Sequence, residues 1–217
     1  HTGLFCVMMP VIVPCSVLPQ LCQNALMKLP FTLQQFLDVF TRYNQAVWPM
    51  QFVLVLFALA AVLLCFKKIE AADNLISVLL AFFWLWMGIV YHIVFFSEIN
   101  KVANLFGSLF ILEGLLFLYY GLLNNSFRFR FRPGLTGYTG LALVLAALFL
   151  YPAIGYLLGP VYPASPTFGL PCPTTIFTWG ILLWSGKKVP LLLVIIPLLW
   201  SFIGFMAAIK LGIREDV

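Results

Sequence analysis

Charge is what this sequence has least of. Only 9% of its 217 residues are charged, where a soluble domain carries about 25% to cover its surface. With 63% hydrophobic residues and a mean hydropathy of +1.06, most of the chain is excluded from water and must sit in lipid. Histidine occurs twice and cysteine five times. Cys6, Cys15, Cys22, Cys65 and Cys172 form neither a CxxC pair nor a zinc ligand set, so no metal and no cofactor is expected. HExxH and GxSxG are missing and no Ser/His/Asp order stands out, which leaves nucleophilic catalysis with little support. The net charge of +5 is split into short groups between apolar runs. It forms no basic stripe with stacking aromatics, so no nucleic-acid partner is expected.

What is present is a series of long apolar runs. They are apolar all round, unlike the alternating strands of a membrane barrel, so the fold class is all-α: a polytopic transmembrane helical bundle. Residues 1–28, beginning with His1 and broken by Pro10, Pro14 and Pro19, read as an extraneous leader or fragment end without function. Met27-Lys28-Leu29-Pro30-Phe31 looks like a more natural beginning, which makes 29–217 a single transmembrane domain.

Thr32 and Gln35 fit a capping box, and the segment after them is amphipathic. Leu33, Phe36, Leu37, Phe40, Tyr43 and Val47 share one face; Gln34, Asp38, Arg42 and Gln45 share the other. The spacing predicts a helix lying in the membrane interface. About six spans follow, at 46–66, 74–96, 102–123, 137–158, 172–186 and 189–211. The fifth is short for a span unless the preceding loop dips inward. The end at Val217, just past the sixth run, leaves room for a further helix.

Lys67, Lys68, Arg128, Arg130, Arg132, Lys187 and Lys188 follow the odd-numbered spans; Lys28, Arg42, Lys101, Lys210 and Arg214 lie on the other side. The bias predicts cytoplasmic odd loops in a plasma membrane. Gly107, Gly114 and Gly121 recur every seven residues, and Gly204, Ala208 and Gly212 every four. Both patterns predict close helix packing.

Ionisable groups within the apolar runs are costly in a bilayer, so function is sought there. Glu113 lies roughly 15 Å into the third run by helical rise, near the midplane. It is expected to be protonated or paired, with a hydroxyl such as Ser201 as the bland partner and proton or cation handling as the functional reading. His92, beside Tyr91, shares a face with Trp84 and Gly88, and Gly88 leaves room for the imidazole. A structural histidine and a titrating or ligand-binding one are both open.

Asn100 lies in the turn that follows. Tyr162, Cys172, Thr174 and Thr175 belong to a Pro-rich loop read as a fixed lid. Free N–H groups at the helix start behind it are expected to accept an anion or a carbonyl oxygen. A short, Pro/Gly-interrupted apolar segment also points to a transporter site. Cys172-Pro173 beside a membrane helix suggests soft-metal transport, but without a second Cys or Met set nearby.

From about Leu29 onward the chain resembles an uncharacterised group of bacterial multi-pass membrane proteins, classed as a domain of unknown function. The resemblance is carried by Pro30-Phe31-Thr32, Tyr43-Asn44, Trp48-Pro49, Tyr91-His92 to Phe95-Phe96, Ile99-Asn100, Phe106-Gly107, Tyr162-Pro163 and Pro171-Cys172-Pro173-Thr174-Thr175-Ile176-Phe177-Thr178. It implies a bacterial inner-membrane protein and supplies no activity. The leading expectation is a small-solute or ion permease with an outward polar vestibule under the 162–175 loop, reaching toward Glu113. A non-transporting scaffold or sensor and a membrane-embedded enzyme are the alternatives. The expected partners are the lipid bilayer and a small solute or ion, and no oligomeric state follows.

Overall fold

A capping box starts the first helix, as its residues require. The Thr32 hydroxyl accepts from the Gln35 amide while the Gln35 side chain accepts from the Thr32 N–H. The computed structural model describes residues 30–67, 69–158 and 161–211. The expected leader at 1–28 lies outside them. Seven helices run through the described residues, with no β-strand among them. They are α1 (Leu33–Ala46), α2 (Met50–Phe66), α3 (Ala72–Glu98), α4 (Ala103–Leu123), α5 (Leu135–Leu157), α6 (Pro171–Leu183) and α7 (Leu192–Leu211).

Four of these, α3, α4, α5 and α7, are long and apolar enough to cross a membrane. The pair α1 and α2, bent by 85° at Val47–Pro49, adds a fifth if it counts as one span. The six spans expected from the sequence are therefore not all present as long helices. The run expected at 172–186 becomes a 13-residue helix, α6, which rises only about 20 Å against the roughly 30 Å of a bilayer core.

The shortfall is met by backbone that leaves the helical path. Before α6, loop residues Ser165, Pro166, Phe168, Gly169 and Leu170 are buried, and the Phe168 ring packs on Phe83 and Phe177. Pro171 opens α6, its fixed φ suiting the first helical position. After α6, Arg130 N–H donates to Trp184 C=O at 2.9 Å and Gly186 N–H to Arg128 C=O at 2.8 Å. Phe131 N–H reaches Cys65 C=O at 3.1 Å. The chain around 65, 130 and 185 is thus tied together at one end of the bundle.

In that tie the alternation of aromatics and arginines has a structural meaning. Phe127 and Phe129 are buried and stacked on each other, while Arg128 and Arg132 are exposed. Extended backbone sends successive side chains to opposite faces. Arg128 pairs with Asp73 at 3.1 Å, and Phe129 N–H donates to the same carboxylate at 2.7 Å.

Glycines set the helix contacts. Gly107, Gly114 and Gly121 press against Gly88, Ala81 and Ser77 of α3, which is the groove expected along α4. Gly140 of α5 and Gly180 of α6 meet in the same way. Cys65 is fully buried, a small apolar filler. Gly204 and Ala208 do not form a seam: Ala208 is buried, whereas Gly204 borders a cavity. Gly212 lies outside the described residues.

Candidate functional site

Inside the bundle, most buried polar side chains find partners. Trp84 Nε1 donates to Thr178 Oγ1 at 3.1 Å, and that hydroxyl donates to Thr174 C=O at 2.8 Å. Thr174 Oγ1 in turn accepts from Gly169 N–H at 3.1 Å, fixing the loop to α6. Four buried groups on α3, α4, α6 and α7 have no hydrogen-bond partner: both nitrogens of His92, both carboxylate oxygens of Glu113, Thr175 Oγ1 and Trp200 Nε1. Buried polar groups are nearly always satisfied, so such a concentration calls for a reason.

His92 is 0% exposed and sits on a π-helical stretch of α3, Met87–Phe95. Such stretches are rare and recur at functional sites. The imidazole lies edge-on to Phe110 of α4 (centroids 4.6 Å apart) and to Trp200 of α7 (4.9 Å). Phe106 and Phe96 complete an aromatic enclosure, each 6.0 Å from it. Gly88 does not provide the room expected for the ring. The space beside it is taken by Gly107 and Ile111 of α4, although Trp84 and His92 do share a face, both packing on Phe110 at 4.6 Å. Tyr91 is buried in the same enclosure, stacked on Phe96 and edge-on to Tyr43.

Glu113 is also 0% exposed, one turn from Phe110 and from Phe117 on the buried face of α4. Its bland expected partner is engaged elsewhere. Ser201 Oγ donates to Pro197 C=O at 2.8 Å and accepts from Trp179 Nε1 at 3.2 Å. Pro197, inside α7, cannot donate to the turn before it, and the serine side chain serves local geometry instead of the carboxyl.

The lid is fixed, and its anchor is a residue that sequence reading did not select. Asn44, fully buried, donates to Pro163 C=O at 2.7 Å and Ser165 C=O at 2.9 Å, and accepts from Thr167 Oγ1 at 2.7 Å. Its own carbonyl receives Gln51 Nε2 at 2.8 Å and the Tyr162 hydroxyl at 3.5 Å. Next to it, Tyr43 accepts from Trp86 Nε1 at 2.7 Å and donates to Gly169 C=O at 3.4 Å. Burial pushes the Tyr43 phenol above its ordinary range, the Trp86 bond opposing this in part. A polar residue one turn from Phe40 on the apolar stripe of α1 was the available signal. Arg42 pairs with Glu98, tying α1 to the far end of α3.

Two hollows are described. One of 370 Å³, lined by Gln35, Asp38, Thr41, Arg42 and Ile99, opens at the surface beside α1. The other, of 210 Å³, lies between α6 and α7 and is lined in part by Cys172, Thr175 and Trp200. Glu113 lines neither, so the vestibule expected to run from the loop to this carboxyl is not represented by them.

The expected anion site at the start of α6 is also corrected. Pro171 and Pro173 carry no N–H and that of Thr174 donates to Leu170 C=O, so three of the first four helical positions present no free donor. Asn100 accepts from Val102 N–H at 3.1 Å and so caps the turn into α4. Among the described residues no three His, Cys, Asp or Glu side chains gather where a metal could bind.

No curated protein and no solved structure matches the chain. A family description does, over residues 33–217, and it covers all seven helices. The chain therefore belongs to DUF6064, a family of unknown function whose member here is built of helices long and apolar enough to cross a membrane.

Proposed function

We propose that this protein is a small-solute or ion permease of a bacterial inner membrane, seen with its pathway closed. The observation that carries this reading is the pair His92 and Glu113: two ionisable side chains, both 0% exposed, neither with a hydrogen-bond partner. Membrane interiors hold such groups at a cost of several kcal/mol, and pathways for protons and ions are where they are kept. The discontinuous path through 165–183 supports the same reading, since interrupted helices line transporter sites. On this reading Glu113 takes and releases the coupling proton, and the 162–170 loop faces outward. The end carrying Lys67, Arg128, Arg130, Arg132 and Lys187 faces the cytoplasm, in line with its positive charge.

A scaffold or sensor is the second reading, favoured by the enclosure of Glu113 itself. The two separate in proteoliposomes loaded with a pH-reporting dye and given a jump of Na⁺, K⁺ or Mg²⁺. A permease produces an internal pH change that Glu113→Gln abolishes. No change with the wild-type protein, or an equal change with Glu113→Gln, removes proton-coupled transport of these cations and favours the scaffold.

A further inference from the structure

The 210 Å³ hollow between α6 and α7 carries chemistry of its own. Thr175 is 2% exposed and its hydroxyl has no partner. Trp200 Nε1, on the opposite wall, has none either. Both residues line the hollow, and Ile176, Gly204 and Phe205 with the weakly polar Cys172 thiol make most of its remainder. Ser201 also borders it, but its hydroxyl is already held by Pro197 C=O and Trp179. An indole N–H can only donate, and a threonine hydroxyl can donate as well. Two donors with no cation among the lining residues suit an acceptor oxygen that brings no charge.

The surroundings of the hollow say what carries that oxygen. α7 is the least enclosed of the long helices, with 22% of its apolar window buried against 33–44% for the others. Phe205, at the rim, is 46% exposed, and Phe202 beside it 65%. The hollow therefore opens on a face that meets acyl chains. At 210 Å³ it lies below the roughly 300 Å³ at which pockets begin to enclose whole drug-sized molecules. It has room for one carbonyl and a short length of chain.

We propose that the hollow binds a membrane diacyl lipid, with Thr175 and Trp200 donating to an ester carbonyl and Ile176 and Phe205 holding the adjoining acyl segment. This shares with the permease reading only the placement of the helices in lipid. The experiment reads Thr175 and Gly204, where the flux assay reads Glu113, so the two stand or fall separately.

The full chain is purified in detergent and offered an equimolar mixture of diacyl and dialkyl phosphatidylcholine of equal chain length. Retained lipid is read by native mass spectrometry. The dialkyl lipid lacks the carbonyls and is otherwise alike. The wild-type protein is expected to retain the diacyl lipid about fivefold better, the share of roughly one neutral hydrogen bond. Thr175→Val, which keeps the side-chain shape and leaves Trp200 as the one donor, is expected to reduce that preference. Gly204→Val fills the hollow and is expected to reduce retention of both lipids. A Cβ at 204 meets nothing closer than 3.9 Å, and an unchanged unfolding midpoint shows that the valine methyls are accommodated as well. Equal retention of the two lipids by the wild-type protein, as for a water-filled hollow, overturns the proposal. So does a preference that Thr175→Val leaves unchanged.

Discussion

Gly88 of α3 and Gly107 of α4 face each other so closely that a Cβ on either would lie 2.8 Å from the other's carbonyl oxygen. The same reciprocal distance, 2.8 Å, relates Gly140 of α5 to Gly180 of α6. Backbones this near gain dispersion contacts and Cα–H···O contacts, which substitute in lipid for the missing hydrophobic drive. Alanine at any of the four is expected to push a helix pair apart and lower stability by about 1–3 kcal/mol. Gly155→Ala is the contrast: its Cβ would meet Pro166 at an ordinary 3.6 Å, and the change should be neutral or stabilising by up to about 1 kcal/mol. Unfolding midpoints of the five variants in one detergent test the ordering.

Asn44 governs the loop. Asn44→Ala leaves the carbonyls of Pro163 and Ser165 and the Thr167 hydroxyl without their partner. With three bonds lost in a mostly buried site, the loss is expected to be about 3 kcal/mol. Asn44→Asp keeps an acceptor for Thr167 but sets a carboxylate against two carbonyls, and should be at least as harmful. Limited proteolysis within 161–170 should rise in both variants.

Glu113 is predicted to separate stability from function. A buried carboxyl with no partner destabilises the fold that holds it. Glu113→Gln should leave the midpoint unchanged or raised, and Glu113→Leu should raise it by about 1–3 kcal/mol. Both should lose the proton-coupled flux proposed above. A fall in midpoint for Glu113→Leu would show that the carboxyl has a stabilising role.

Asp73 holds two groups at the tied end of the bundle. Asp73→Asn retains an acceptor for Phe129 N–H and loses charge only toward the exposed Arg128 guanidinium. It should cost under about 1 kcal/mol. Asp73→Ala removes both bonds and leaves a part-buried N–H unpaired, so about 1–3 kcal/mol is expected. Chemical unfolding of the two variants side by side checks the order.

Helix existence, the capping box and the seven-residue glycine groove of α4 were all readable from sequence, because each rests on local spacing. Which side of a helix faces inward was not. Phe110 is buried and Leu112 is 46% exposed, yet both are apolar, and lipid and protein interior ask for the same residue type. The span at 172–186 was overestimated at its end for a related reason: local composition does not show that 184–186 leave the helix to bond with Arg128 and Arg130. Glu113 was located correctly as a buried group, but its isolation from Ser201 depends on where Trp179 and Pro197 place that hydroxyl. Asn44 and Trp200 were missed because their importance lies in partners on other elements, which for Asn44 lie more than a hundred residues away.

The tie between residues 65, 130 and 185 bears on how the molecule is assembled. The N–H of Arg130 and the C=O of Arg128 are paired only by Trp184 and Gly186, which emerge from the ribosome more than fifty residues later. Until then those peptide groups need water, so the Phe-Arg strip must wait at the membrane surface while α5 and α6 are threaded in. Closure of that end is then a late event in biogenesis, and a chain halted before Trp184 would be left with that floor of the bundle open.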